Sequence, residues 1–366
     1  MFRKMMIPAV FLLSLFIIYS LFWPVEIDPV AWNAPENRGY TGVFKTNNRL
    51  KNIHTIPIGN SHGPEDVAID SDGRIYAATH EGNIVRLDAD GSNPVNWVNT
   101  GGRPLGIDFD HSGNLIVADA FIGLLSIDKD GSINTLATMA DNIPIRYADD
   151  VDVAADGKIY FSDASTKFGA KEYGGAYEAS ILELMEHGGH GRLLVYDPLT
   201  GTAKTLVDGL NFANGVAVSH DQSYVLINDT GTYRVIRYWL TGPDKGKHEI
   251  LIDELPAFPD NISTGYNNRF WVAFVAPRNK LVDSVSNKPF LRRMIQRLPK
   301  FLKPKAVFYG HIIAIDGNGK ILHDLQDPAG SYPLNTSVTE TKEYLYIGSL
   351  VSPVLGRIEK KSLGIE

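Results

Sequence analysis

The sequence predicts an all-β fold, a six-bladed β-propeller carried behind an N-terminal transmembrane helix. Three observations lead there. One pattern recurs six times, at a spacing of roughly 40 to 46 residues where no insertion intervenes, the length of a four-stranded propeller blade. Each copy sets two runs rich in Ile, Val, Tyr and Phe around a turn carrying Asp, Gly or Asn, which is hairpin chemistry. Ahead of the first copy lies one long uncharged run. A sandwich or an up-and-down barrel accounts for the strands but not for a repeat of this length.

Residues 1–24 read as a cytoplasmic tip and signal anchor. After Arg3 and Lys4, Met5–Trp23 runs for nineteen residues without a charge, enough to cross a bilayer at about 1.5 Å per residue. Basic residues before it, with Glu26 and Asp28 after it, leave the N-terminus in the cytoplasm. A single-pass protein with its propeller on the periplasmic, lumenal or extracellular side is expected. A cleaved signal peptide is the rival reading. It wants small residues at its cleavage point, whereas this run ends in Leu21, Phe22, Trp23 and Pro24. Residues 25–40 read as a linker and 41–366 as the propeller.

Within the propeller the six copies are "EDVAIDSDGRIYAAT" from Glu65, "LGIDFDHSGNLIVADA" from Leu105, "DDVDVAADGKIYFSDA" from Asp149, "NGVAVSHDQSYVLINDT" from Asn214, "DNISTGYNNRFWVAFV" from Asp260 and "TSVTETKEYLYIGSL" from Thr336. Outer strands follow, as in "GNIVRLDADG" and "GRLLVYDPLTG". The early stretch "RLKNIHTIPIG" is the candidate to complete the last blade and close the ring. Insertions fall around 165–191 and 277–306. In the second, Phe290, Leu291, Met294, Ile295, Leu298, Phe301 and Leu302 recur at helical spacing among Arg292, Arg293, Arg297, Lys300, Lys303 and Lys305. Pro299 is placed to kink or end that helix. Such a basic amphipathic stretch, 287–305, fits a surface lying on anionic lipid, a lid for lipophilic substrates, or a helix packed on the propeller with a solvated basic face.

Composition removes several function classes. A formal net charge of -7 argues against a nucleic-acid partner. With no Cys, disulfides, Cys-ligated zinc and thiol catalysis are excluded. No G-x-S-x-G motif supports serine hydrolase chemistry.

In a propeller the first strand of each blade lines the central channel, so equivalent repeat positions form a ring. The six leading dipeptides are Glu65-Asp66, Leu105-Gly106, Asp149-Asp150, Asn214-Gly215, Asp260-Asn261 and Thr336-Ser337. Glu65, Asp149, Asn214 and Asp260 thereby converge as oxygen donors. Converging carboxylates repel one another, and a hard cation removes that cost. Calcium (Ca2+), which accepts many oxygens in flexible geometry, suits the set better than magnesium, and the absence of His argues against zinc or copper. Turn capping would explain any one position, but not four in register. Asn261 is a further candidate ligand, and Asp66 and Asp150 could hold a separate structural calcium deeper in the channel. Asp119, Asp163 and Asp229, at the ends of second strands, are expected to cap turns rather than to rim the mouth.

The stretches "GRPLGI", "VADAFIGLL", "KIYFSDAS", "FANGVAVS", "AFPDNIS" and "YLYIGSLVSP" together resemble the strictosidine synthase-like family, and within it the branch of adipocyte plasma membrane-associated proteins. The likeness runs over nearly the whole chain. It implies a membrane-anchored calcium propeller with arylesterase activity, more distantly similar to paraoxonases and to the gluconolactonase and senescence-marker group. By motif it implies calcium ligation by Glu65 in "GPED", Asn214 in "FANG" and Asp260 in "DN". The family's "ND" pair stands here as Asp149-Asp150. The paraoxonase histidines are replaced by Leu105 and Ala120, and the glutamate of strictosidine synthase by Thr336, which argues against a condensing enzyme. His62 beside "GPED" is a lone loop histidine. The expected reaction is calcium-dependent hydrolysis of a small lipophilic lactone or aryl ester, with Asp260 or Asp149 as general base. A non-catalytic, calcium-stabilised binding propeller is the alternative. Sequons at Asn228, Asn261 and Asn335 would matter only in a glycosylating host.

Overall fold

Strands buried at every position, such as Ile75–Ala78 and Ala213–Val218, need a sheet against each face, and a ring of radially packed sheets supplies both. The computed structural model describes Tyr19 and residues 21–366. Most of the expected anchor, Met5–Trp23, lies outside the described residues. Among those described, no helix is long and apolar enough to cross a membrane.

Six four-stranded antiparallel sheets make the propeller. Blade 1 holds Val67–Ile69, Ile75–Ala78, Asn83–Leu87 and Val95–Asn99; blade 2 begins at Pro104–Phe109, blade 3 at Ala148–Val153, blade 4 at Ala213–Val218 and blade 5 at Ala257–Thr264. Blade 6 takes Val338–Glu340, Tyr344–Ile347 and Val354–Glu359 from the C-terminal end, and its outer strand is His54–Pro57, paired antiparallel with Thr55 opposite Gly356. The early stretch therefore does close the ring. Successive inner strands touch, including the first against the last.

One apolar core fills each gap between blades. Ile107, Leu115 and Val117 meet Tyr76 and Ile84 between blades 1 and 2, and Leu345 and Ile347 meet Trp271 and Ala273 between blades 5 and 6. A seventh cluster lies above the ring, where Ile27, Tyr147, Phe168, Leu182, Met185 and Phe212 pack together. The insertions cover this end of the channel. The first forms helix α1 (Ala176–Glu186), and the second α2 (Lys280–Ser284) and α3 (Pro289–Arg297), with Leu298 capping α3 just before Pro299.

Residues 25–40, expected as a linker, instead form a strap laced to these helices. Val30 N–H donates to the Glu186 carbonyl and Trp32 N–H to the Ser286 carbonyl, and the Trp32 ring stacks on His187 at 3.8 Å. The expected solvated basic face of α3 is only partly present. Arg292 is buried, donating to the carbonyls of Met185, Glu186, Val30 and Ser286, while Phe290 and Leu291 face out. The reason is that four carbonyls from the end of α1, the segment after α2 and the strap converge on one point, where a guanidinium fork reaches them all, adding a second donor to those of Glu186 and Ser286.

A candidate metal centre at the channel mouth

Each leading dipeptide sits in a β-bulge. Ala148 pairs with Asp163 and Val151 with Phe161, so Asp149-Asp150 is one residue longer than its partner. The same shift flanks Leu105-Gly106, Asn214-Gly215 and Asp260-Asn261. In blade 1, Ala78 bonds both the Glu65 N–H and the Asp66 carbonyl, and in blade 6 Gly348 does the same for Thr336 and Ser337. A bulge re-aims consecutive side chains. Here it sends the two members of each pair to different places.

The leading members go to the mouth. Glu65, Asp149, Asn214 and Asp260, all buried, line one cavity of about 180 Å³. Its walls are apolar, built from Leu105, Tyr147, Phe212 and Phe258 below and by Ile181, Leu184 and Ile295 of the covering helices. Asn214 donates its amide to Asp260 Oδ1 at 2.5 Å, and Asn228 Nδ2 holds the Asp260 carbonyl at 2.6 Å. Asp149 has no side-chain hydrogen bond among the described residues. Burial, then the neighbouring Glu65, drives the Asp149 pKa well above the ordinary carboxylate range, and Asp260 is raised by burial, Glu65 and Asp149 in turn. Burial also raises Glu65, although Arg103 pulls the other way.

The second members go inward. Asp66 accepts from Ile107 N–H of blade 2 at 2.9 Å, and Asp150 from Val216 N–H of blade 4 at 2.7 Å. Asp108 and Asp152 repeat this one layer on, accepting from Val153 and Val218. These carboxyls and Asn261 line a separate cavity, away from Asp260. Where the second member is glycine, side chains would collide: a Cβ on Gly106 would lie 2.5 Å from the Asp150 Cα, and one on Gly215 2.6 Å from the Asn261 carbonyl carbon. The inner strands are closest there.

Sequence reasoning did not find Arg103. Buried beside the mouth, it pairs with Glu65 at 3.1 Å and donates to the Pro104 carbonyl. It lies two residues before the dipeptide of the blade whose own lead is apolar, and that is the only signal it leaves. Three carboxyls less one guanidinium leave a charge of two to be balanced.

Among the described residues, no three His, Asp or Glu side chains are drawn together as a metal cage. The mouth nonetheless fits a hard divalent ion. Its donors are all oxygens, and the buried Asn214 Oδ1 has no partner, a cost a cation would remove. In the inner cavity both amide atoms of Asn261 are likewise unpartnered.

Other expected residues have structural duties. Asp119 caps Arg103 and Phe121 N–H, Asp163 binds Tyr147 N–H and Arg192, and Asp229 binds Asn211 N–H and Arg234. Each pins the loop entering its blade. His62 is bonded to Glu81 and packs on His80, outside the cavity lining. Thr336 is buried and donates to the Glu65 carbonyl at 2.6 Å. The sequon residues Asn228, Asn261 and Asn335 are all buried, so none is presented for glycosylation.

Comparison with known proteins adds the relationships. The family description "Strictosidine synthase" matches residues 149–243, and "Strictosidine synthase-like, N-terminal" matches 42–87. Adipocyte plasma membrane-associated protein of Rattus norvegicus is 31% identical, over 92% of this chain and 94% of its own length. Strictosidine synthase-like 10 of Arabidopsis thaliana is 32% identical, over 88% and 90%. In fold the chain is similar to a gluconolactonase of Xanthomonas campestris, with a TM-score of 0.62 at 15% identity, covering 85% of this chain and 91% of that one. A calcium-binding regucalcin of Agrobacterium tumefaciens gives 0.58 at 12% identity, covering 84% and 93%.

Proposed function

From the premise that this chain belongs to the strictosidine synthase-like family, we propose that it is a membrane-anchored, calcium-dependent hydrolase of lactones or aryl esters. One observation carries the reading: four buried residues with oxygen donors line one apolar-walled cavity. Glu65, Asp149, Asn214 and Asp260 would hold the ion. When bound, it would polarise a substrate carbonyl and stabilise the oxyanion that forms.

The chain's own residues supply the rest. Leu105, Tyr147, Phe212 and Phe258 bind the apolar body of a substrate and keep bulk water from its carbonyl. Asp149 is the better general base, because its carboxyl has no hydrogen-bond donor to satisfy, whereas Asp260 Oδ1 is occupied by Asn214. Asn228 keeps Asp260 in place through the backbone. Thr336, committed to the Glu65 carbonyl, carries no acid for amine–aldehyde condensation.

Gluconolactonase and calcium-binding regucalcin among the structural neighbours support the lactonase and calcium readings, and the rat relative's name supports membrane association, for which residues 5–23 are the proposed anchor. The deciding experiment assays a panel of aryl esters and lactones with calcium, with chelator, and with Asp260→Ala. Hydrolysis that needs both calcium and Asp260 is the expected result. A melting temperature raised by calcium, with no substrate turned over, would make this a binding propeller instead.

A further inference from the structure

The end of the expected anchor meets the lid of the channel. The Trp23 carbonyl accepts from Arg297 Nε of α3, and Asp28 pairs with Arg293. Beyond α3, Phe301 and Leu302, then Val307 and Phe308, are exposed, with Phe301 75% exposed. Lys300 and Lys305 stand exposed among them. Residues 303–307 of this stretch also border the cavity entrance. Apolar side chains in water next to a substrate entrance have no folding rationale, and a patch of this kind marks an interaction surface.

We propose that this face, from α3 through Phe308 together with Phe22 and Trp23, docks onto an anionic bilayer, so that the channel mouth opens toward the membrane and substrates enter from lipid. Charge selects the occupant. Residues 287–308 carry seven Lys or Arg and no acid, within a chain of net charge -7; with Arg292 buried and Arg293 paired to Asp28, the other five supply the positive charge of the face. A second copy apposed here would set like charges against each other, whereas anionic headgroups complement them. Geometry agrees, since Trp23, the last residue of the expected anchor, is itself bonded to α3. The docking rests on the anchor reading of Met5–Trp23 and not on the hydrolase reading, whereas the entry of substrates from lipid rests on both.

The test uses the full chain, which has no Cys, so that Phe301→Cys and Leu199→Cys each carry one environment-sensitive fluorophore. Leu199, 94% exposed, lies in the turn between third and fourth strands of blade 3, at the end of the propeller away from the mouth. The variants are reconstituted into phosphatidylcholine vesicles containing phosphatidylglycerol and a doxyl-lipid quencher. Quenching at 301 several-fold stronger than at 199, reduced by omitting phosphatidylglycerol or by Arg293→Gln/Lys300→Gln/Lys305→Gln, is expected. Equal, weak quenching at both positions overturns the proposal. So does shielding of the 301 label in detergent that grows with protein concentration, which would mean that a second copy covers the face. Failure of the chain to float with vesicles overturns it together with the anchor, whatever the esterase assay gives.

Discussion

Arg103 decides how the mouth is charged before any ion arrives. Its guanidinium and the Glu65 carboxylate are both buried, so each is the other's main compensation. Breaking such a pair from one side leaves an unpaired buried charge, at a cost of about 3 kcal/mol. Arg103→Gln is therefore expected to lower the melting temperature in chelator by several degrees and to bind calcium more tightly than the parent. Melts across a calcium titration check both, and an unchanged chelator melt would remove Arg103 from the charge balance. The four leading donors were legible because the repeat puts them in one slot, and a slot in a propeller is a depth in the channel. Arg103 was not, because it stands outside the slot. The parting of Asp66 and Asp150 from Glu65 and Asp149 was legible as well, from their second place in each pair, although the bulge that produces it shows only in the pairing register.

Among the elements, α3 and the strap show where pattern reading fails. Helical spacing located the helix and Pro299 its end, but none of the three readings of its basic residues singled out Arg292 for burial. What buries Arg292 is a set of carbonyls contributed by three other segments, and no single stretch of sequence displays that convergence. Arg292→Met would take the guanidinium from the Met185 and Val30 carbonyls, while those of Glu186 and Ser286 keep Val30 and Trp32 N–H, at about 1–3 kcal/mol for each carbonyl left unpaired where water cannot reach. The expected result is faster hydrogen exchange in residues 25–40 and 287–305, with the inner strands unchanged. Arg292→Lys should not rescue it, because an ammonium lacks the fork that reaches several carbonyls at once. Exchange confined to wild-type rates in the strap would show that the helices are held by apolar packing alone.

At the scale of the whole molecule, the six-fold repeat brings Glu65, Asp66, Asp108, Asp149, Asp150, Asp152 and Asp260 into one channel. The period counted the blades, and the displaced strand His54–Pro57 closing blade 6 follows from the need to end a ring without an exposed edge. The energetic consequence concerns pH. Burial raises Asp66 to about 7 and Asp108 to about 6, against 3.8 for an ordinary Asp. A carboxyl whose pKa is raised by folding favours the folded state while protonated. Its contribution is complete below about 4 and is lost as pH climbs through 6 to 7. Glu340 behaves in the opposite sense. Burial would raise it, but bonds from Arg269, Lys360, Trp271 and Tyr266 hold it at about 2, so its contribution fades only as pH falls from 4.5 toward 2 and does not disturb the higher window. In chelator, the melting temperature should therefore fall between pH 4 and 7. Calcium should restore it by an increment that grows over the same range, since the ion takes the place of the protons. A chelated protein whose melting temperature keeps rising toward pH 7 would mean that the channel carboxyls are already ionised and balanced within the chain, and that no cation is needed to hold the blades together.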